Sequence, residues 1–103
     1  MRRELTRCRQ KLFEARAPRT RPLRDDKALV AWNALMISAM AEAGVVLQEP
    51  RYLAGAQRCA DFILTALRTD DAGLLHVWRA GNAEIGAFLD DYAYLASALL
   101  VFR

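Results

Sequence analysis

Two acidic pairs, Asp25-Asp26 and Asp90-Asp91, are the residues of this chain whose type and spacing best suit chemistry. Each pair stands at the start of an apolar segment with helical spacing, where free backbone amides and the helix dipole favour a carboxylate. Two carboxylates brought together also serve glycoside hydrolysis, in which their separation decides the stereochemical outcome. Helix termini attract acids for structural reasons too, so capping remains an open interpretation of Asp26 and Asp91.

Asn33 and Asp91 lie in the apolar stripes of their predicted helices. At about 100° per residue, Asn33 shares a side of its helix with Asp26, whereas Asp90 and Asp91 fall on different faces. A buried amide without a partner costs about 1 to 3 kcal/mol, so backbone, a side chain, water or a ligand must meet Asn33. The functional hypothesis is that both helix ends converge on one pocket, with Asp26, Asn33 and Asp91 in its wall.

Aromatic and basic residues lie near these acids in the sequence. Trp32, Trp78 and Tyr92 offer ring faces to the apolar sides of a polyhydroxylated ligand, whose hydroxyl groups would bind carboxylates and amides. His76 is the only imidazole of the chain. Beside Trp78 and Arg79 in a predicted loop, it suits a general acid or base. A single histidine without a visible partner is more often a packed or surface residue.

Lys27 and the two cysteines complete the reactive side chains. Lys27 would act as an amine base if it were buried, although its position beside Asp26 favours an ion pair. Cys8 and Cys59 stand 51 residues apart without a CxxC motif. The sequence therefore predicts neither a metal site nor a redox pair, and no cofactor. We expect both thiols to be buried and reduced, which suggests a cytoplasmic protein.

Composition places the chain among small globular domains. It has 103 residues, of which 54% are hydrophobic and 26% charged. Residues 1–24 hold nine basic and two acidic residues, a net charge of +7, and the remainder carries −4. Such a basic segment could bind nucleic acid or acidic lipid, but a solvated helix face beside an acidic surface is favoured. The apolar run 28–47 matches a membrane span in length, yet Asn33, Ser38 and Glu42 favour a core helix.

Periodicity and turn residues predict four helices. Their predicted ranges are 1–17, 25–47, 50–69 and 87–103, with an extended connector at 18–24 and a loop or short hairpin at 70–86. Pro18 ends the first helix, Pro50 opens the third, and Gly81-Asn82 forms the tip of the excursion near residues 74–86. The fold class is therefore all-α, with two αα-hairpins that pack as a bundle or as units of a larger helical array.

Several segments resemble a known family along nearly the whole chain. They are the DDK-to-WN segment, then PRYLAGAQRCADFIL, GLLHVWRAG and the FLDDYA motif. The chain resembles the C-terminal region of thioredoxin-domain-containing proteins of the spermatogenesis-associated type. The resemblance implies a thioredoxin-like N-terminal domain, followed by an (α/α)6 toroid similar to N-acylglucosamine 2-epimerases and six-hairpin glycosidases. About two hairpins of such a ring would lie here.

The same resemblance implies a set of ligand-binding positions. They are Asp25, Asp26, Lys27, Trp32, Asn33, Asp90, Asp91 and Tyr92, to which the residue analysis adds His76, Trp78 and Arg79. The family usually has Gly where this chain has Ala34, which removes a place for close helix approach. The related epimerases use two histidines, and this chain has one, so a complete epimerase site is not expected within it.

We therefore predict part of a longer protein that binds or processes a carbohydrate-like ligand, with Asp26, Asp91 and His76 as candidate catalytic residues. The segment alone should be inactive. The alternative is a non-catalytic interaction module. A third hypothesis is nucleic-acid binding through residues 2–24, which no base-reading motif supports. Expected partners are the remaining toroid, the thioredoxin-like domain, and a second copy bound through the first and last helices.

Overall fold

The structure, a computed structural model, describes residues 1–102. It is mostly helical, with one small three-stranded antiparallel sheet in the order β1-β2-β3. The elements are α1 (Arg2–Arg16), β1 (Ala28–Leu29), α2 (Val30–Val46), α3 (Pro50–Ala66), β2 (Leu75–Arg79), β3 (Asn82–Gly86) and α4 (Leu89–Val101). The predicted mostly helical fold with a short hairpin excursion is thus confirmed, and the strand at Ala28–Leu29, which extends the hairpin to a three-stranded sheet, was not predicted. The toroid remains a prediction.

Helix α2 lies between α3 and α4 and supplies the centre of the core. Small residues at the crossings, Ala34, Ala56 and Ala98, are completely buried and let the helix backbones approach closely. Ile37 and Ile63 fill the space between them, each almost fully buried. The alanine-rich sequence of α2 therefore serves close packing from two sides.

Helices α2 and α3 form an antiparallel hairpin with a very short connection. Pro50 opens α3 as predicted, because its missing N–H is one that the first turn leaves unpaired. Gly44 lies so close to α3 that an added Cβ would come within 2.7 Å of Leu53 Cγ. The third helix ends at Ala66 rather than 69, since Arg68 pairs with Leu74 and leads the chain into the sheet.

The predicted excursion is a hairpin of β2 and β3 that continues into a third strand. Residues 80 and 81 join the two strands with φ of 50° and 82°, as a two-residue type I′ turn requires. The tip is therefore Ala80-Gly81 and not Gly81-Asn82, because Asn82 already pairs with Arg79. β1 adds to the other edge of β2, with Ala28 opposite Trp78 and Leu29 opposite Val77.

The predicted start of the second helix at residue 25 is wrong. Residues 20–27 have no regular structure, Ala28 and Leu29 are extended, and α2 begins at Val30. Pairing with β2 satisfies the backbone of these two residues in the strand conformation, which sequence periodicity could not reveal. Asp25 and Asp26 therefore do not cap α2. The fourth helix begins at Leu89 and not at 87, and residue 103 lies outside the described residues.

Helix α1 stands apart from this core. None of its residues is buried, and the thiol of Cys8 is exposed, contrary to prediction. The radius of gyration is 18.2 Å, where a compact chain of about 100 residues has about 13 Å. Among the four helices described, none is long and apolar enough to cross a membrane.

Candidate functional site at the Asp91–His76 pair

Asp91 is the one buried charged side chain in the described part of the chain, with 0% exposure. It occupies the third position of α4, and its Oδ2 accepts a hydrogen bond from the Phe88 N–H at 2.9 Å. An acid at this position that reaches back to the N-cap amide is one half of a capping box. The acidic first turn of α4 is therefore a cap, as one of the two open interpretations held.

The same carboxylate also reaches a second helix. Its Oδ1 accepts a hydrogen bond from the Ala31 N–H at 2.9 Å, in the first turn of α2. Leu29, the N-cap residue of α2, offers no side-chain cap of its own. One carboxylate thus serves the N-termini of two helices, where unpaired amides and both helix dipoles favour negative charge.

The third partner of Asp91 is His76, the central feature of the site. Oδ2 of Asp91 lies 2.7 Å from Nδ1 of His76, whose side chain is 19% exposed. The imidazole also packs edge-on against the ring of Phe88, with 4.7 Å between centroids. These two contacts hold the ring from two directions. Sequence analysis named His76 and Asp91 separately, and the structure brings them together.

The second imidazole nitrogen of His76, Nε2, is free to act. Nε2 has no hydrogen-bond partner among the described residues. Every buried polar side-chain atom in this part of the chain has such a partner, so Nε2 is not buried and reaches solvent. A carboxylate that binds Nδ1 fixes the orientation of the ring, and the opposite nitrogen can then accept or donate a proton. The histidine of serine hydrolase triads is oriented by a contact of the same kind, between a carboxylate and Nδ1.

Two neighbours of Asp91 complete the surroundings of the pair. The hydroxyl of Tyr92 accepts a hydrogen bond from the Leu74 N–H at 3.0 Å and so ties α4 to the start of β2. Oδ1 of Asp90 accepts one from the Asp91 N–H at 3.0 Å. Asp90 and Tyr92 remain exposed next to the pair. Phe88, which sequence analysis did not place in the site, is recognisable in the sequence only as the first residue of the FLDDYA motif, three residues before Asp91.

Asn33 faces another part of the molecule. Its Nδ2 donates to the Leu29 carbonyl at 2.8 Å, and its Oδ1 accepts from the Cys59 thiol at 3.6 Å. Burial raises the pKa of Cys59, which keeps the proton that this contact uses. Backbone and α3 therefore meet the amide, and no hydrogen bond joins Asn33 to Asp91 among the described residues. The expected shared wall of Asp26, Asn33 and Asp91 is not formed by direct contact.

The remaining candidates gather at the far end of β2. Arg79 lies 3.5 Å from Asp26, and Lys27 lies 3.3 Å from Asp25 rather than pairing with Asp26. The Lys27 backbone N–H, above all, holds the pKa of Asp25 below its usual value. All four side chains are largely exposed. His76 is three residues from Arg79, or about 10 Å along a strand.

The two tryptophans also lie apart from each other. Trp78 packs edge-on against Phe62, with 5.2 Å between ring centroids, and is half-buried against the core. Trp32 is 71% exposed on α2. A cavity of about 580 Å³ lies between Phe13, Arg16 and Pro22, in the N-terminal segment and not beside His76. Within residues 1–102, no cluster of three or more metal-ligating side chains occurs.

Comparison with known proteins gives homologues but no function. No family model matches the chain. It is 40% identical to an uncharacterized protein of Caenorhabditis elegans over 86% of its length. It is 35% identical to spermatogenesis-associated protein 20 of Homo sapiens and of Rattus norvegicus, over 88% of its length. The chain spans 13% of each of these relatives. The predicted resemblance to spermatogenesis-associated proteins is confirmed, whereas the toroid and the thioredoxin-like domain stay predictions.

Proposed function

We propose that this chain contributes a proton-transfer residue to a site for a carbohydrate-like ligand in a longer protein, and that it is inactive alone. The observation that carries the proposal is the 2.7 Å contact between Asp91 Oδ2 and His76 Nδ1. It holds an imidazole at the surface with one nitrogen free. Proton transfer by such a group contributes about 10² to 10⁴ to a reaction rate.

The roles of the two residues differ. Asp91 has no exposed surface, and its two oxygens already accept from two backbone amides and contact the imidazole. The sequence hypothesis made Asp91 a catalytic acid in contact with the ligand. In this proposal Asp91 is instead a positioning residue for His76. His76 is the group that would exchange a proton with a ligand. Asp26 forms an exposed ion pair with Arg79, and it has a smaller role than His76 in the proposed proton transfer.

The ligand class follows from the groups that surround Nε2. The ring of Phe88 is more than half exposed beside the imidazole, and Tyr92 keeps part of its ring at the surface although its hydroxyl is bound. Aromatic faces suit the apolar side of a sugar ring, and the exposed carboxylate of Asp90 suits its hydroxyl groups. Such a ligand would lie across the N-terminus of α4.

The larger architecture that we propose is an (α/α)6 toroid similar to those of N-acylglucosamine 2-epimerases and six-hairpin glycosidases, preceded by a thioredoxin-like domain. The α2–α3 hairpin and the packing of α4 on α2 support it, because neighbouring helical hairpins of a ring meet in this way. In a ring, further helices would enclose the surface around His76. That enclosure would supply the missing walls of the pocket.

The proposal is tested in the longer protein with His76→Asn. Asparagine keeps a hydrogen-bond donor for Asp91, so the fold should be retained. It lacks an equivalent of Nε2, so turnover of the sugar that the protein binds should fall at least about 100-fold. A panel of monosaccharides and N-acyl sugars identifies that sugar through NMR shifts near Phe88. The control is Glu84→Gln, at an exposed position of β3, which should keep turnover. Equal turnover in His76→Asn and the unmodified protein would refute the role of His76.

A non-catalytic interaction module is the second candidate. It is favoured by the apolar surface that α2 exposes and by the engagement of Asp91 in joining three elements. In that case His76 only closes a structural network, and no sugar in the panel should shift the Phe88 signals. Partner binding would then survive His76→Asn.

Nucleic-acid binding through residues 2–24 is the third candidate. All nine basic residues of this segment are exposed, so they are available to phosphates. Affinity for an oligonucleotide would then fall steeply between 50 and 200 mM salt, by about 10³-fold or more for six phosphate contacts. If the chain does not bind the oligonucleotide at low salt, this candidate is eliminated.

A further inference from the structure

Helix α2 is apolar over most of its surface, with Asn33, Ser38 and Glu42 as its polar side chains, although only part of that surface is packed. Val30, Ile37 and Ala41 face the core, whereas Trp32, Met36 and Val46 are mostly exposed on the opposite face. We call this opposite face the outer face of α2; it comprises Trp32, Leu35, Met36, Ala39 and Val46, which recur at helical spacing. A helix that is apolar all round is normally covered all round. The outer face therefore fits a partner helix.

Helix α1 has the complementary property. Leu5, Cys8 and Leu12 form an apolar stripe along it, bordered by Arg9 and Arg16, yet no residue of α1 is buried. An isolated helix of 15 residues is marginal in water and gains most of its stability from packing an apolar face. Within residues 1–102, helix α1 thus buries no residue against a neighbour, and no other element covers the outer face of α2.

Charge and length match as well. Residues 1–24 carry a net charge of +7 and residues 25–103 carry −4, so the two parts attract each other. Glu42 borders the outer face of α2, as Arg9 and Arg16 border the stripe of α1. Helices of 15 and 17 residues are about 22 and 25 Å long, which allows contact along their whole length.

We propose that the outer face of α2 binds α1 of a second copy of this chain, and that two such contacts form a symmetric dimer. A second copy is favoured because α1 lies away from its own core, on an exposed connector without regular structure. Exchange of such an element between two copies is a known route to dimers. The last helix, also named in the sequence prediction, exposes Leu89, Ala93 and Ala96 on one side and Asp90, Tyr94 and Ser97 on another.

A disulfide between the two helices tests the contact directly. Cys8 lies near the middle of α1 and Ala39 near the middle of α2, so these positions meet whether the helices run parallel or antiparallel. Ala39→Cys chains, one half labelled with ¹⁵N, are mixed and oxidised, and cross-linked peptides are identified by mass spectrometry. We expect peptides in which Cys8 of a labelled chain is linked to the thiol introduced at position 39 of an unlabelled chain, and the reverse. The control Glu84→Cys, exposed on β3, should not form such a link to Cys8.

Sedimentation of two matched variants tests the energetics. Leu12→Glu places a negative charge in the stripe, and Gln10→Glu places the same charge on the opposite face of α1; neither residue is buried, so folding of the core is preserved. We expect dimers for the unmodified chain and Gln10→Glu, and at least about tenfold weaker association for Leu12→Glu. A monomer at all concentrations, dimers unaffected by Leu12→Glu, or disulfides from Cys8 to position 39 within single chains would each overturn the proposal.

Discussion

Helices α1 and α4 have similar lengths and an apolar stripe each, but α1 carries eight charged residues and α4 two, and they differ in how they pack. Helix α4 buries Asp91, Leu95 and Ala98 against α2 and the sheet, whereas α1 buries nothing. The difference shows that a stripe of apolar residues specifies a helix but not its neighbour. Contacts at the helix start distinguish them too: the carboxylate of Asp91 binds two other elements, while the first turn of α1 has no side-chain cap.

The largest expected difference between the N-terminal segment and the core is in the effect of apolar truncations. Ile37→Ala removes a side chain that is 1% exposed and should lower the free energy of unfolding by about 2 to 5 kcal/mol. Leu5→Ala, on α1, should change it by no more than about 0.5 kcal/mol when both proteins are diluted to the monomeric state. Urea denaturation monitored by Trp78 fluorescence measures both. Equal losses would show that α1 is part of the folded core.

Breaking the Asp91 network should have the next largest effect. Asp91→Asn removes the charge from a buried site and replaces one acceptor by a donor that faces backbone N–H groups, so it should cost about 3 kcal/mol. Asp26→Asn breaks only an exposed pair with Arg79 and should cost less than about 0.5 kcal/mol. Thermal unfolding of the two variants compares them. A small loss in Asp91→Asn would show that the two helix starts do not depend on this carboxylate.

Two glycines sharpen the comparison within the core. A methyl group at Gly44 would meet the side chain and backbone of Leu53 at 2.7 to 3.1 Å, so Gly44→Ala should destabilise the protein by about 1 to 3 kcal/mol. At Gly55 the methyl group would meet only the flexible end of Met40. The better helix propensity of alanine should offset that contact, so Gly55→Ala should leave the free energy of unfolding unchanged or raise it by up to about 1 kcal/mol. Denaturation midpoints decide; a stabilised Gly44→Ala would mean that α2 and α3 are not closely packed there.

The smallest difference concerns the two thiols. Cys8 is exposed on α1 of the single chain, whereas burial raises the pKa of Cys59, so in protein diluted to the monomeric state iodoacetamide should modify Cys8 at least about ten times faster near neutral pH. Because the folded pKa of Cys59 exceeds its unfolded value, its contribution to stability is present below the unfolded pKa and is lost as pH rises through the folded pKa. Mass spectrometry of the alkylated peptides gives both rates, and Cys8→Ser controls for cross-reaction. Similar rates would indicate that α3 opens readily.

Much of the helical structure was predictable because its signals are local. Pro50 marks the start of α3, helical spacing identifies α1, α3 and α4, and Gly81 marks a turn within the hairpin. The start of α2 was misplaced for a non-local reason. Asp25 and Asp26 have the right type for caps, but the residues that follow them pair with β2. A strand of two residues has no periodicity from which to recognise it.

The candidate site was predictable only as separate residues. Asp91 was chosen because it shares a stripe with apolar residues, and its complete burial agrees with that pattern. Its partner His76 lies 15 residues away and Ala31 lies 60 residues away, so no local pattern connects the three. The sequence left both a structural and a ligand-binding interpretation of Asn33 open. Its contacts with Leu29 and Cys59 agree with the structural interpretation, and ligand binding by Asn33 stays a prediction.

The amino-acid sequence by itself determined which segments are mainly helical and that Asp90 and Asp91 stand at the start of the last helix, because backbone propensity, proline and apolar spacing act over a few residues. Only the tertiary structure decided which helix start each acid serves. The Asp91 carboxylate caps α2 and holds His76 because three elements distant in sequence meet at that point. A buried charge is stable only where all its partners converge, and that convergence exists only in the folded chain.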